Sequence, residues 1–300
     1  MFVTGDGTTL LVRDSDPHGQ AEATLVITHG WTLDHTSWER VVALIAGAFG
    51  SRVRVVQYDH RGHGGSDPAR PGAGTLEQLA DDLAELITER VPDGPVVLAG
   101  HSMGGMTMFA LAERHPELVR DRIAGTAFVA TSCDMTSLTL GLPTWLAAPV
   151  LYLEALVNRG LARLRRGQLL ANPPAVVRPF IRWLVFGRKA NRLDVIDTAA
   201  QIGKCHPASM VSMRNSMGVH NRPAAIAAFS GIPAVVLAGT RDRLTPVSHA
   251  RQIAADLPDA DFVVYPGAGH MLTYERTPEV ADQLVRLITA VTTAKVRKTA

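Results

Sequence analysis

The sequence predicts an α/β fold: a mostly parallel sheet with helices on both faces, interrupted by one helical insertion. Three observations carry this reading. Short β-branched or apolar runs recur that are too continuous to have one wet face. Helical patterns separate them, which implies right-handed crossovers. Residues 135–228 keep the helical patterns and contain no strand. The chain has 300 residues, 46% hydrophobic and 19% charged. A chain of that size buries about three quarters of its unfolded surface, so disordered, collagen-like and stapled mini-protein classes are excluded.

In chain order, the Gly5-Asp6-Gly7 turn signal before the period-2 run at residues 10–12 predicts an edge hairpin. Buried strands are predicted at residues 25–28, 53–58, 96–99, 123–130, 234–238 and 262–265. Helices are predicted at 37–48, 75–90, 103–115, 246–257 and 278–292, with Ser37, Thr75 and Thr277 as N-caps. The insertion is punctuated by Pro143, Pro149, Gly160, Gly167, Pro173, Pro174, Pro179, Gly187 and Pro207. Residues 1–134 and 229–300 then form the two parts of one core, and 135–228 the insertion.

The formal charge of +2 is too small for a chain that acts on nucleic acid, but it is unevenly placed. Residues 135–205 hold ten basic and three acidic side chains, so this stretch carries +7 and the remainder −5. Cys133 and Cys205 have no metal-binding or redox spacing, and a reducing, cytoplasmic setting is expected. No secretory signal is read at residues 1–16. The longest nearly uncharged apolar stretch, residues 138–153, falls short of the roughly 20 residues that span a bilayer.

Gly100-His101-Ser102-Met103-Gly104 stands between the predicted strand 96–99 and the helix that follows, the context that gives a G-x-S-x-G pattern its meaning. A turn sharp enough to lift Ser102 above the sheet needs Gly100 and Gly104, because a Cβ two positions away would collide. A serine hydroxyl needs a base, and the base an orienting acid. Asp242 follows the strand 234–238 and His270 follows the strand 262–265, both at C-terminal strand ends, where open α/β sheets place their sites. The expected oxyanion donors are the backbone N–H groups of Met103 and of Trp31, in the loop His29-Gly30-Trp31-Thr32. Gly30 lets that loop approach, His29 is a hydrogen-bonded support, and His101 supports the elbow.

These residues, in the order Ser102, Asp242, His270, resemble the α/β-hydrolase superfamily over essentially the whole length, with the insertion in the place of that family's cap. The resemblance implies an eight-stranded sheet. It also makes Asp134, after the strand 123–130, an alternative acid, since some members take their carboxylate from there. The turn Asp59-His60-Arg61-Gly62-His63-Gly64-Gly65-Ser66 resembles the family's structural Asp-x-Arg-Gly-x-Gly-x-Ser turn, so His60 and His63 are expected to hold no metal. The run 100–105 resembles lipases, esterases and monoglyceride lipases; His29-Gly30-Trp31 resembles the cofactor-free haloperoxidase or perhydrolase group. Ser102 at the elbow argues against dehalogenases and epoxide hydrolases, which carry Asp there. His101 argues against carbon-carbon bond hydrolases, which carry Asn before the serine.

The resemblance therefore implies a serine hydrolase that cleaves a small hydrophobic carboxylic ester, with no metal or organic cofactor and no nucleic-acid partner. A thioesterase or acyltransferase on a carrier-bound chain, a perhydrolase, and a triad-bearing ligand-binding protein with little turnover are the alternatives. Trp145, Leu146, Val150, Leu151, Leu153 and Leu156 stand at helical spacing, to line a substrate tunnel or to pack the cap. The basic residues at 159–166 and 178–192 form either a solvated face or a contact for anionic lipid or an acyl carrier.

Overall fold

The structure, a computed structural model, describes residues 1–16, 21–136, 160 and 178–299. The proposed tunnel positions at 145–156 and the basic residues at 159–166 lie outside the described residues.

A seven-stranded sheet organises the chain, in the order β3-β5-β4-β6-β7-β8-β9. Its strands are β3 (Val12–Asp14), β4 (Ala23–Thr28), β5 (Val53–Tyr58), β6 (Val96–His101), β7 (Ile123–Val129), β8 (Ala234–Gly239) and β9 (Asp261–Tyr265). Only β3 runs antiparallel to its neighbour; the others pair in parallel. Every residue of β4, β5, β6 and β8 is buried, as expected for strands covered on both faces. The expected eighth strand is not part of this sheet. The first hairpin, β1 (Phe2–Val3) and β2 (Thr9–Leu10), forms a sheet of its own. The break falls at Leu11, whose N–H donates to Ser66 Oγ at 2.9 Å and whose carbonyl accepts from Asp59 N at 2.9 Å. Its backbone is thereby spent on the Asp59–Ser66 turn instead of on a ladder.

Helices α1 (Glu39–Phe49) and α9 (Thr277–Thr299) close one face, around Trp38, Ile45, Leu284 and Ile288. On the other lie α2 (Leu76–Arg90), α3 (Met103–Arg114), α4 (Pro116–Arg122) and α8 (Val247–Asp256). There Phe109 stacks on Phe128 with ring centroids 4.9 Å apart, and Phe229 meets both edgewise. Thr75 caps α2 as the sequence predicts, its side chain accepting from Gln78 N. Before α1, Asp34 caps a 3-10 turn (His35–Trp38) that contains Ser37, and α1 itself begins after Trp38 with no side-chain cap. Between β7 and β8 the described residues form helices α5 (Arg178–Val185), α6 (Arg192–Lys204) and α7 (Pro207–Gly218), with no strand. No helix among the described residues is long and apolar enough to cross a membrane.

The Asp59–Ser66 turn is locked by charge. Arg61 is fully buried and its guanidinium reaches Asp82 at 2.7 and 2.5 Å and Asp6 at 2.8 Å. Asp59 accepts from the backbone and ring of His35 and from Gly65 N. Burial alone would raise the Asp59 pKa, but these bonds hold it down at about 2.

Candidate active site

Sequence and sheet geometry meet first at Ser102. It joins β6 to α3 with φ 53° and ψ −117°, a left-handed backbone that a non-glycine residue adopts only under constraint. The constraint is visible: Ser102 N donates to Val129 O at 3.0 Å, and its carbonyl accepts from Thr131 Oγ1 at 2.7 Å. The elbow's glycines are demanded by contact. A Cβ on Gly100 would lie 2.6 Å from Gly105 N, and one on Gly104 would lie 2.4 Å from Thr28 O. Helix α3 can therefore start this close to β4 only without side chains at those positions.

The other two residues stand on neighbouring loops at the same sheet edge. Asp242 follows β8, and its Oδ1 accepts from the N–H groups of Leu244 and Thr245 at 2.8 and 2.9 Å. Its Oδ2 accepts from Thr245 Oγ1 at 2.8 Å and from His270 Nδ1 at 2.8 Å. Both side chains of the pair are at most 5% exposed. Burial alone would raise the Asp242 pKa; the charge and hydrogen bond of His270, with the bonds from Thr245, bring it below the ordinary carboxylate value. With Nδ1–H donated to Asp242, Nε2 is the nitrogen that carries the lone pair whenever the imidazole is neutral. Among the described residues no hydrogen bond links Ser102 to His270, whose ring is bonded through Nδ1.

His101 ties the two sides together. Its Nε2–H donates to His270 O at 2.9 Å, and the two rings lie 4.9 Å apart. Burial pushes its pKa down to about 3, so the ring is neutral. Gly30 passes so close that a Cβ there would lie 2.9 Å from His101 Nδ1. His29 supports the same loop: Nδ1–H donates to Gly30 O at 2.8 Å, and Nε2 accepts from His60 N at 2.9 Å. Neither the Trp31 nor the Met103 backbone N–H is used as a donor among the described residues. The Trp31 indole Nε1–H donates to Met210 O at 3.0 Å, which ties its loop to α7.

Asp134 is placed elsewhere. Its Oδ1 accepts from the N–H and hydroxyl of Thr136, with no bond to His270. His60 packs edgewise on His29 and His63 packs on it at a tilt, with centroids 4.5 and 5.3 Å away, and burial pushes the His63 pKa down to about 3. Sequence reasoning missed Thr245 and Glu275. The D-x-x-T spacing of Asp242 and Thr245 is a legible signal, since the pair forms a local carboxylate-backbone turn. Glu275 accepts from Gly269 N at 2.9 Å and Gly187 N at 2.8 Å, and nothing near it in sequence announces the second partner.

Comparison with known proteins agrees with this architecture. The chain is 27% identical to the dihydrolipoyllysine-residue acetyltransferase component of the acetoin cleaving system of Pseudomonas putida, over 93% of this chain and 66% of that protein. It therefore spans just under two thirds of that relative's length. It is 30% identical to a pimeloyl-[acyl-carrier protein] methyl ester esterase of Aromatoleum aromaticum, over 82% of this chain and 90% of that one. A thermophilic esterase from Thermogutta terrifontis superposes with a TM-score of 0.72 at 24% identity, covering 96% of each chain, and so shares the fold. The alpha/beta hydrolase fold family matches residues 23–277, most of the length of the sequence. The chain belongs to the alpha/beta hydrolase fold family.

Proposed function

We propose that this chain is a serine hydrolase of small hydrophobic carboxylic esters. Ser102 Oγ attacks the ester carbonyl while His270 Nε2 takes its proton; His270 then returns the proton to the leaving alcohol. Water repeats the sequence on the acyl-enzyme. Asp242 holds the tautomer that leaves Nε2 basic and stabilises the imidazolium. The Trp31 and Met103 N–H groups bind the developing oxyanion, Met103 from the N-terminus of α3, where free amides favour negative charge. Residues 135–228 act as a cap that keeps water from the acyl pocket.

The observation that carries the reading is the buried 2.8 Å bond between His270 and Asp242 on the sheet edge where Ser102 is held at positive φ. The esterase relative supports ester cleavage as the reaction. The test is a burst-phase assay on p-nitrophenyl esters from acetate to palmitate, with intact mass after a fluorophosphonate probe, on wild type and Ser102→Ala. Labelling of the wild type alone with a chain-length optimum is expected, and appreciable turnover by Ser102→Ala would falsify the nucleophile assignment.

A further inference from the structure

The loop that carries His270 has little of its own to stand on. Gly267 and Gly269 precede the histidine, Gly267 at φ 77°, and a backbone without side chains there has more freedom than any other sequence allows. Two bonds come from the loop after β8, Gly267 N to Thr240 Oγ1 and Arg241 N to Ala268 O, both 2.8 Å, and further support comes from the end of α5 and the residues after it. Val185 O accepts from His270 N at 2.9 Å and from Met271 N at 3.2 Å, and Arg188 N donates to Gly267 O at 3.0 Å. Phe186, 2% exposed, inserts among Leu33, Val195 and Met271. The two backbones touch: a Cβ on Gly187 would lie 2.1 Å from Gly267 O, and one on Gly269 would lie 2.5 Å from Gly187 N. Arg243, next to Asp242, bonds Trp183 O at 2.5 Å and stacks over the Trp183 ring.

One carboxylate closes this seam. Glu275 Oε2 accepts from Gly187 N on one side, and Oε1 accepts from Gly269 N, the residue before His270, on the other. Two oxygens with no donor of their own suit two facing N–H groups, which no neutral side chain of that length serves equally. We infer that Glu275 is a positioning residue, whose carboxylate pins the His270 loop to the tail of α5 and so sets where the imidazole stands relative to Asp242 and Ser102. The inference rests on the reading of His270 as the base. Without the carboxylate both N–H groups lose their acceptor, and the glycine loop loses its tie at Gly269, the residue next to His270.

The test uses the full chain with Glu275→Ala and Glu275→Gln. Steady-state kinetics on the best p-nitrophenyl ester are combined with thermal melting and with the far-downfield proton resonance of the His270 Nδ1–H bonded to Asp242. Glu275→Ala is expected to lower kcat by about ten- to a hundredfold, the scale of a misplaced catalytic group, with KM changed less than twofold and the downfield resonance shifted or broadened. Glu275→Gln keeps one acceptor oxygen and recovers part of kcat. If Glu275→Ala fails to fold, Gly187→Ala tests the same seam, because its Cβ drives the tail off Gly267 O. A kcat within twofold of wild type in a folded variant, or a lowered melting temperature with the resonance unmoved, overturns the inference. A wild type with the resonance in place but no fluorophosphonate labelling would count against the hydrolase reading instead, and the resonance in the variants would still decide the role of Glu275.

Discussion

The two sides of the site take their support from different parts of the chain. On the proposed nucleophile side, Ser102 is held by hydrogen bonds to Val129 and from Thr131 and by close backbone packing at Gly100, Gly104 and Thr28, within or beside strands that are central to the sheet. On the side of the proposed base, His270 donates to Asp242 and Val185, accepts from His101 and, through Gly269 N, is tied to the Glu275 carboxylate. One partner, Val185, lies in the segment between β7 and β8, 85 positions earlier in the chain. The contrast teaches that the proposed base takes part of its support from the segment between β7 and β8, whereas the proposed nucleophile is held by the sheet and the residues that directly flank it.

The sharpest way to break the comparison is on the base side. Asp242→Asn is expected to reduce kcat by on the order of 10⁴, with the melting temperature close to wild type; a loss under tenfold, measured at steady state, would place the acid elsewhere. On the nucleophile side the damage is expected to fall on stability. Gly104→Ala puts a methyl 2.4 Å from the Thr28 carbonyl, a backbone atom of a central strand that cannot step aside. Overpacking of this kind costs about 1–3 kcal/mol, read as a shift in the urea midpoint, and an unchanged midpoint would show room at the elbow that the contact denies.

Acid sharpens the contrast with the smallest effect per step. His63 and His101 are fully buried, and burial holds both near pKa 3 in the folded chain against 6.5 unfolded. Below pH 6.5 the unfolded chain takes up protons that the folded chain refuses, so stability falls as pH drops from 6.5 toward 3. Each histidine contributes roughly 1 kcal/mol per pH unit in that window. Urea midpoints at pH 7, 6 and 5 check this, and a flat series would mean that one of the rings finds a way to be charged in the fold.

Much of this was legible in the sequence because the signals are local. Buried strands are short apolar runs, and Ser102, Asp242 and His270 each stand a few residues beyond one. What escaped depends on distant partners. Leu11 reads as part of a strand, but the Asp59–Ser66 turn takes its backbone and leaves seven strands in the sheet. Ser37 reads as a cap, yet Asp34, three positions earlier, accepts the Thr36 N–H. Trp31 is read from the sequence only for its backbone N–H, and its indole N–H bond to Met210 O, 179 positions away, has no local signal. Glu275 sits in a four-residue helix with no distinguishing pattern, and its meaning appears only when Gly187 and Gly269 face each other.

The glycine seam also decides where this molecule can be recombined. A chimera that takes its insertion from another member of the family imports whatever stands at position 187, and any side chain there strikes the Gly267 carbonyl. The transplantable unit therefore ends before Trp183, and residues 183–188 travel with the loop of His270 as part of the host.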